Sequence, residues 1–363
     1  MKLSLEIPIN GLSFGQASVN ILRELYKRDL QPNIFPVGGN GELSAFEQNQ
    51  DFKKWIEECI AKAPGEHRRL TPTLKLWHLN GALTGYSDKR ALMTFHETDM
   101  ITDFELNAIR NNDVVLVSSS YTKSVFEEMG VHNVIRVPLG FDNVSFFENK
   151  TSYFADEIIC FGMGGKLEKR KHHLKAIKAW VKKYGNNPRY RLNCAISNSH
   201  IDPNSQAATV AQALEGKPYR NLNFTPYMRA NSDYNIFLNV NNIYIAMSGG
   251  EGFDLPAFQS CAIGKHIVGL NAHAYKDYLT PENAVLVEPS GKEPVYDGVF
   301  FFPNQPFNQG HIFTWDDDAF IAGCEEAERR LSVSRTNTVG QELQKKFTYE
   351  KTVDSILEVL SGL

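Results

Sequence analysis

Apolar positions along the chain alternate between short runs rich in β-branched residues and longer stretches in which apolar residues recur with a helical period. The first such unit opens with KLSLEIPI, turns through residues 11–15 and enters a helix at Gln16, whose buried face carries Val19, Ile21, Leu22 and Leu25. Alternating strands and amphipathic helices are typical of βα units that build a parallel sheet. The pattern therefore predicts an α/β fold.

The alternation occurs as two successive series. The first continues with the strands LKLWHL, RALMTFH and DVVLVSS, the helix YTKSVFEEMG that ends at Gly130, and VIRVPLGFD. The second opens at EIICFGMGG and continues with the helix HLKAIKAWVKKY, the strands RLNCAIS, NLNFTPY and NIYIAMS, a helix over 256–262, and the strand KHIVGL. We predict two domains, 1–147 and 148–344.

Two later stretches break the alternation. Residues 290–315 are aromatic and Pro-rich without a clear period, which predicts an irregular packed loop. The stretch from about 339 to 363 has a helical pattern, and we expect its last part, about 345–363, to cross back onto the first domain.

Composition and charge narrow the class of protein. The 363 residues carry a formal net charge of −4, so no broad basic surface indicates nucleic acid binding. No stretch approaches the roughly 20 apolar residues that span a bilayer, and the N-terminus lacks a basic region followed by an apolar run. We expect a cytoplasmic protein without integral membrane association. The five scattered cysteines predict reduced core thiols and no zinc site.

The most informative segment is SGGEGFDLPAFQSCAIGKHIVG, residues 248–269, between two predicted strands. Three glycines allow the backbone to approach a ligand, and the following residues open a helix whose unpaired N–H groups suit a phosphate. Glu251 is a candidate acceptor of hydrogen bonds from sugar hydroxyls. The alternative is an ordinary strand-to-helix turn with an exposed glutamate. The candidate ligand-binding residues of this local pattern are Gly249, Gly250, Gly252, Phe253, Asp254 and Leu255.

This segment resembles the donor-site signature E-G-F-G-L-P-x-x-E of the retaining GT-B glycosyltransferases of family four (group 1). Here it stands as E-G-F-D-L-P-A-F-Q, with Glu251 at the first glutamate. Gln259 replaces the second glutamate, which contacts the ribose in that family, and Asp254 replaces a glycine. The resemblance implies two Rossmann-like, doubly wound domains facing across a cleft, with the nucleotide on the second domain and the acceptor entering from the first.

A basic loop, GMGGKLEKRKHHLKAIKAW, leaves a strand for a helix at residues 162–180. A diphosphate leaving group gains charge as the glycosidic bond breaks, so nearby cations lower the barrier. The loop resembles the family's basic pair, for which Lys166 and Lys171 match best, with Arg170 or Lys169 as alternatives. The other interpretation is a solvated face of four basic residues.

In the first domain, ALMTFHETD ends a predicted strand with polar residues. By resemblance to the family, His96 is expected beside the transferred sugar. The alternative is a buried histidine bonded to a backbone carbonyl. Asp99 or Glu97 is a candidate base for the acceptor.

Weaker candidates lie elsewhere. The turn NGLSFGQAS resembles the family's loop over the donor phosphates or the acceptor, which makes Ser13, Phe14 and Gly15 candidates. His273 is expected either to contact acceptor or sugar or to lie on the surface. The acid-rich WDDDAF near residue 315 predicts a capped helix start, not a metal site.

Together these features predict a retaining hexosyl- or pentosyltransferase that uses a UDP- or GDP-type nucleotide sugar and needs no cofactor or essential metal. The acceptor is a glycan, a small molecule or, because the short first domain also resembles bacteriophage glycosyltransferases acting in the host cytoplasm, a hydroxymethylated DNA base. That DNA hypothesis requires Lys75, Lys89 and Arg90 to meet phosphates. The alternatives are a GT-B-type nucleotide-sugar epimerase and a non-catalytic nucleotide-sugar binder.

Overall fold

The computed structural model describes residues 2–39, 41–149 and 158–363. Its N-terminal lobe is a parallel sheet in the order β2-β1-β3-β4-β5-β6. The elements of this lobe are β1 (Ser4–Ile7), α1 (Ser13–Lys27), β2 (Asn33–Pro36), α2 (Gln50–Glu66), β3 (Thr73–Leu76), β4 (Arg90–Thr94), α3 (Asp103–Arg110), β5 (Val114–Val117), α4 (Ser120–Glu128) and β6 (Val134–Arg136).

The C-terminal lobe is a second parallel sheet, in the order β12-β11-β10-β7-β8-β9. Its elements are β7 (Ile159–Gly165), α5 (His173–Tyr184), β8 (Tyr190–Ile196), α6 (Pro203–Ala213), β9 (Leu222–Phe224), α7 (Asn231–Val240), β10 (Ile243–Ala246), α8 (Leu255–Ala262), β11 (His266–Leu270), β12 (Val285–Val287), β13 (Gly291–Pro294), β14 (His311–Thr314) and α9 (Asp317–Val333). The helices α10 (Thr338–Gln341), α11 (Leu343–Lys346) and α12 (Tyr349–Gly362) follow.

Each sheet is covered on both faces, as a parallel sheet requires. All residues of β1, β3, β5, β10 and β11 are buried. Burial on both faces explains why β5 (VVLV) and β10 (IYIA) are continuous apolar runs. Helix starts are fixed by polar caps: Thr102 and Glu105 form a capping box on α3, and Asp316 accepts two backbone N–H bonds at the start of α9. The cap predicted in WDDDAF is therefore confirmed. All five cysteines are free and buried, as predicted.

Residues 291–314 correct the sequence-based prediction of an irregular loop. β13 and β14 pair in antiparallel register from Gly291 with Thr314 to Pro294 with His311. The strands are short and are separated by residues 295–310, so their pairing leaves little local periodicity in the sequence. The hairpin also binds the rest of the C-terminal lobe, because the Phe313 N–H donates to the Gly249 carbonyl at 2.8 Å.

The terminal helical stretch is three helices, and the last of them packs against α1 of the N-terminal lobe. Arg28 Nη1 lies 2.7 Å from Asp354 Oδ1, and Thr352 donates to the Pro138 carbonyl at 2.8 Å. The chain therefore runs between the lobes twice. Residues 150–157, just after the predicted domain boundary, lie outside the described residues, and the boundary at 147–148 stays a prediction. Within the described ranges, no helix is both long and apolar enough to cross a membrane.

Candidate active site

A cleft between the lobes lies where both sheets reverse their strand order. The order reverses between β1 and β3 in one sheet and between β7 and β10 in the other. Open α/β sheets bind ligands outside the carboxyl ends of the strands at such switch points. The cleft holds about 1700 Å³ of empty space, which includes part of its open mouth. All four switch-point loops contribute to its lining, at residues 8–14, 77–78, 165–171 and 251–256.

The loops after β7 and β10 are joined by one backbone hydrogen bond and one hydrogen bond from a side chain to the backbone. The Gly249 N–H donates to the Arg170 carbonyl at 2.7 Å, and the Arg170 guanidinium donates to the Gly250 carbonyl at 2.9 Å. A Cβ on Gly250 would lie 2.2 Å from the Glu97 carbonyl oxygen, and one on Gly252 would lie 2.8 Å from Phe95 Cβ. These two glycines thus allow the lobes to touch. Gly252 also lines the cleft, whereas Gly249 and Gly250 lie behind it.

Arg170 is the centre of a buried charge cluster. Its Nη2 lies 3.0 Å from Glu97 Oε1, its Nε 2.9 Å from Glu168 Oε2, and its Nη1 3.0 Å from Glu251 Oε2. Lys171 Nζ lies 2.6 Å from Glu251 Oε1. Glu251 therefore forms ion pairs with two cations. Its side chain is 6% exposed, so the alternative of an ordinary turn with an exposed glutamate is wrong.

Lys171 and Arg170 together affect the pKa of Glu251 more strongly than burial does. Burial raises the pKa of this carboxyl, but Lys171 and then Arg170 outweigh the burial and lower the pKa to about 2. Burial raises the pKa of Asp254, which Lys171 at 3.6 Å only partly offsets. The two neighbouring acids thus have their pKa values pushed apart.

Asp254 caps α8 from an unusual backbone conformation, with φ of 67° in the left-handed region. Its Oδ2 accepts a hydrogen bond from the Tyr275 hydroxyl at 2.6 Å. The first residues of α8, Leu255 and Pro256, line the cleft together with Phe253 and Lys171, so the N-terminal end of this helix lies at the cleft. Gln259, one turn further on, also lines the cleft and is buried.

Lys166 lies nearer the mouth of the cleft than Lys171. Its side chain is 44% exposed, and its Nζ lies 3.8 Å from Glu168 Oε1 and 4.9 Å from the ring centroid of Phe300. The basic loop is therefore not a solvated face, because Arg170 and Lys171 are buried while Lys166 stays accessible to a ligand.

The wall of the N-terminal lobe is aromatic. The ring of Phe14 lies 4.4 Å from His78, 4.6 Å from Phe95 and 6.1 Å from Trp77, centroid to centroid. Ser13 lines the same wall. His78 is exposed to the open space of the cleft, and desolvation by the surrounding walls, followed by the charges of Lys166 and Arg170, lowers its pKa to about 4. His78 is thus a neutral imidazole at neutral pH, facing the basic loop.

His78 was missed in the sequence, and His96 takes a different place from the expected one. His96 Nε2 lies 2.9 Å from the Met100 carbonyl oxygen, and its ring packs on Phe126. It follows β4, one strand beyond the switch point, and lies outside the cleft lining, which matches the alternative of a buried histidine bonded to a carbonyl. His78 follows β3, at the switch point itself. The strand order of the sheet therefore decides which of the two histidines reaches the cleft.

Three other candidates also lie outside the cleft lining. Asp99 pairs with Lys292 at 2.9 Å and accepts the His311 N–H, so it joins the β13–β14 hairpin to the N-terminal lobe. His273 is 2% exposed, with Nε2 2.8 Å from the Ser248 carbonyl oxygen, and the surface alternative for it is wrong. Gly15 lies inside α1, where a Cβ would come within 2.1 Å of the Asn10 carbonyl oxygen.

Comparisons with known proteins identify the fold. No protein-family model and no curated protein matches the sequence. Among solved structures, sucrose-phosphate synthase from Thermosynechococcus elongatus superposes with a TM-score of 0.69 at 11% identity, over 100% of this chain and 95% of that one. A glycosyltransferase from Rickettsia africae gives 0.68 at 13% identity, over 99% and 98%. HepE of Anabaena, in complex with UDP and glucose, gives 0.62 at 12% identity over all of both chains. The predicted GT-B fold is confirmed.

Proposed function

We propose that this protein is a retaining glycosyltransferase that moves a hexose or pentose from a UDP- or GDP-type nucleotide sugar to a hydroxyl acceptor. The observation that carries the proposal is the placement of Arg170 and Lys171 at the switch point of the second sheet, beside the N-terminus of α8. That placement suits a diphosphate. HepE, which shares the fold, binds UDP and glucose in its crystal structure, which supports the same class of donor here.

In this proposal the C-terminal lobe holds the donor. The N–H groups of α8 and the ammonium groups of Lys171 and Lys166 stabilise the charge that develops on the departing diphosphate. Because these cations supply the stabilisation, we propose that turnover survives chelation of divalent metals. Gln259 binds the ribose hydroxyls through its amide. Glu251 orients Lys171 and accepts hydrogen bonds from sugar hydroxyls through its remaining lone pairs.

The reacting sugar lies between Glu251 and the aromatic wall of the N-terminal lobe. His78, neutral and facing the cleft, can exchange a hydrogen bond with a sugar hydroxyl near the bond that breaks. We propose that the acceptor hydroxyl attacks from the face that the diphosphate leaves, with the diphosphate oxygen taking the acceptor proton. The configuration is then retained, and no protein nucleophile is needed.

The acceptor is proposed to be a glycan or a small molecule that rests on the aromatic wall. The positions of Lys75, Lys89 and Arg90 do not support a modified DNA base as the acceptor, because that hypothesis requires them to meet phosphates. Lys75 is buried, with its Nζ 3.5 Å from Glu6 Oε2, and so cannot meet a phosphate. Arg90 begins β4, with Lys89 just before it, at the edge of the sheet opposite the cleft.

The test is a calorimetric and turnover screen of UDP, GDP and ADP and their sugars with wild type, Lys171→Met and Glu251→Ala. We expect one nucleotide sugar to bind and be slowly hydrolysed, with turnover falling on the order of a hundredfold in Lys171→Met. Lys182→Met, an exposed lysine that pairs with Asp317, is the matched control and should keep full turnover. Activity with and without EDTA tests the independence from metal. Absence of binding to every nucleotide sugar would refute the proposal.

One observation favours a second candidate, a non-catalytic nucleotide-sugar binder. Both buried cations of the cluster are already paired with carboxylates, which weakens their pull on a diphosphate. A binder would show calorimetric binding without hydrolysis under any acceptor mixture. Release of a changed sugar in the absence of acceptor would indicate an epimerase instead.

A further inference from the structure

The charge cluster at Arg170 joins the two lobes. Glu168 and Glu251 belong to the C-terminal lobe, as Arg170 does, whereas Glu97 follows β4 in the N-terminal lobe. The ion pair between Glu97 and Arg170 therefore bridges the cleft at 3.0 Å.

Each of the three guanidinium nitrogens of Arg170 lies within 3.0 Å of a carboxylate oxygen, although the Nε N–H makes no hydrogen bond. Nε contacts Glu168, Nη1 contacts Glu251 and the Gly250 carbonyl, and Nη2 contacts Glu97. A phosphate that approaches this guanidinium from the cleft competes with these carboxylates for it. The position of Arg170 in the cleft lining gives a phosphate access to it.

The three carboxylates differ in how easily they are displaced. The side chains of Glu168 and Glu251 are 3% and 6% exposed, so separating either from its cation would leave a buried unpaired charge. The side chain of Glu97 is 30% exposed and lines the cleft. Its carboxylate can move into water when a diphosphate takes its place on the buried Arg170, so the exchange leaves no buried charge without a partner.

We propose that Glu97 is an internal competitor for the donor diphosphate: it occupies Arg170 while the cleft is empty, and the diphosphate displaces it. The inference rests on the proposed function. Donor binding then breaks one bond between the lobes and frees the Glu97 carboxylate to face the acceptor side of the cleft. The pair thereby couples the filling of the donor site to the contact between the lobes.

The experiment is a titration of UDP, GDP and ADP into wild type, Glu97→Gln and Lys292→Ala. Glu97→Gln removes the competing charge and keeps the side-chain shape, so the nucleotide that binds wild type should bind about fivefold more tightly or better, a gain of at least about 1 kcal/mol. Lys292→Ala removes another half-exposed ion pair between the lobes, with Asp99, but leaves Arg170 alone. It should change the affinity less than twofold.

The outcomes separate the two proposals. Equal or weaker nucleotide binding by Glu97→Gln overturns the competition while the donor site stands. Equal affinity with a loss of transfer to acceptor would assign Glu97 as the acceptor's base instead. A gain of the same size in Lys292→Ala would assign the effect to general loosening of the lobes. Absence of nucleotide binding to all three proteins would refute the proposed function itself.

Discussion

Replacing Glu251 by Gln should destabilise the C-terminal lobe in a manner that depends on pH. The carboxylate contacts Lys171 at 2.6 Å and Arg170 at 3.0 Å, and these cations lower its pKa from 4.5 to about 2 against the effect of burial. Such a shift corresponds to roughly 3 kcal/mol of stability at neutral pH. Because the folded pKa lies below the unfolded one, this contribution is complete above pH 4.5 and is lost as the pH falls towards 2.

The assay is urea unfolding at pH 7 and pH 3.5, with hydrogen exchange of β10 peptides as the local readout. The free energy of unfolding of Glu251→Gln should lie about 3 kcal/mol below wild type at pH 7 and about 2 kcal/mol below it at pH 3.5. Glu342→Gln, at an exposed glutamate, is the control and should stay within about 0.5 kcal/mol of wild type. A difference that is constant with pH, or that grows as the pH falls, would refute the reasoning.

Three further predictions concern the cleft. The melting temperature of Asp254→Asn should lie close to that of wild type, because Asn tolerates a positive φ and still accepts the hydrogen bond from Tyr275. Asp254→Ala should lower the free energy of unfolding by about 1–3 kcal/mol, measured by thermal unfolding, because it leaves the Tyr275 hydroxyl without its acceptor. Gly252→Ala places a Cβ 2.8 Å from Phe95 Cβ, so donor hydrolysis should fall about tenfold or more while circular dichroism stays unchanged; full turnover would contradict this. The wild-type rate of donor hydrolysis should fall as the pH drops through about 4, because His78 is then protonated. His78→Gln should lack this fall, and a fall that persists would show that another group titrates.

Much of the fold follows from local sequence. The helix predicted over 173–184 is α5, and the helix predicted over 256–262 is α8 with one more residue at its start. Both have a clear apolar face and short flanking turns. β2 (Asn33–Pro36) and α2 (Gln50–Glu66) were missed: NIFP is brief and ends in proline, and α2 contains Pro64.

The site was harder to predict because it depends on contacts between distant elements. The motif around Glu251 and the basic loop are local, and the structure brings them together. The choice between His78 and His96 depends on which strand lies beside β1, and a single sequence does not give that order. Two partners of Arg170, Glu97 and Glu251, also come from distant segments, and nothing in the sequence near Glu97 indicates that it crosses the cleft.

The return of α12 to the N-terminal lobe has a consequence for synthesis of the chain. Helix α1 emerges early, but the helix that covers its outer face is translated more than 300 residues later. At about 5–20 residues per second, the delay is on the order of tens of seconds. During that time the ribosome-bound chain exposes the apolar stripe of α1 that α12 later covers. Chaperones can therefore bind the N-terminal lobe until α12 packs against it.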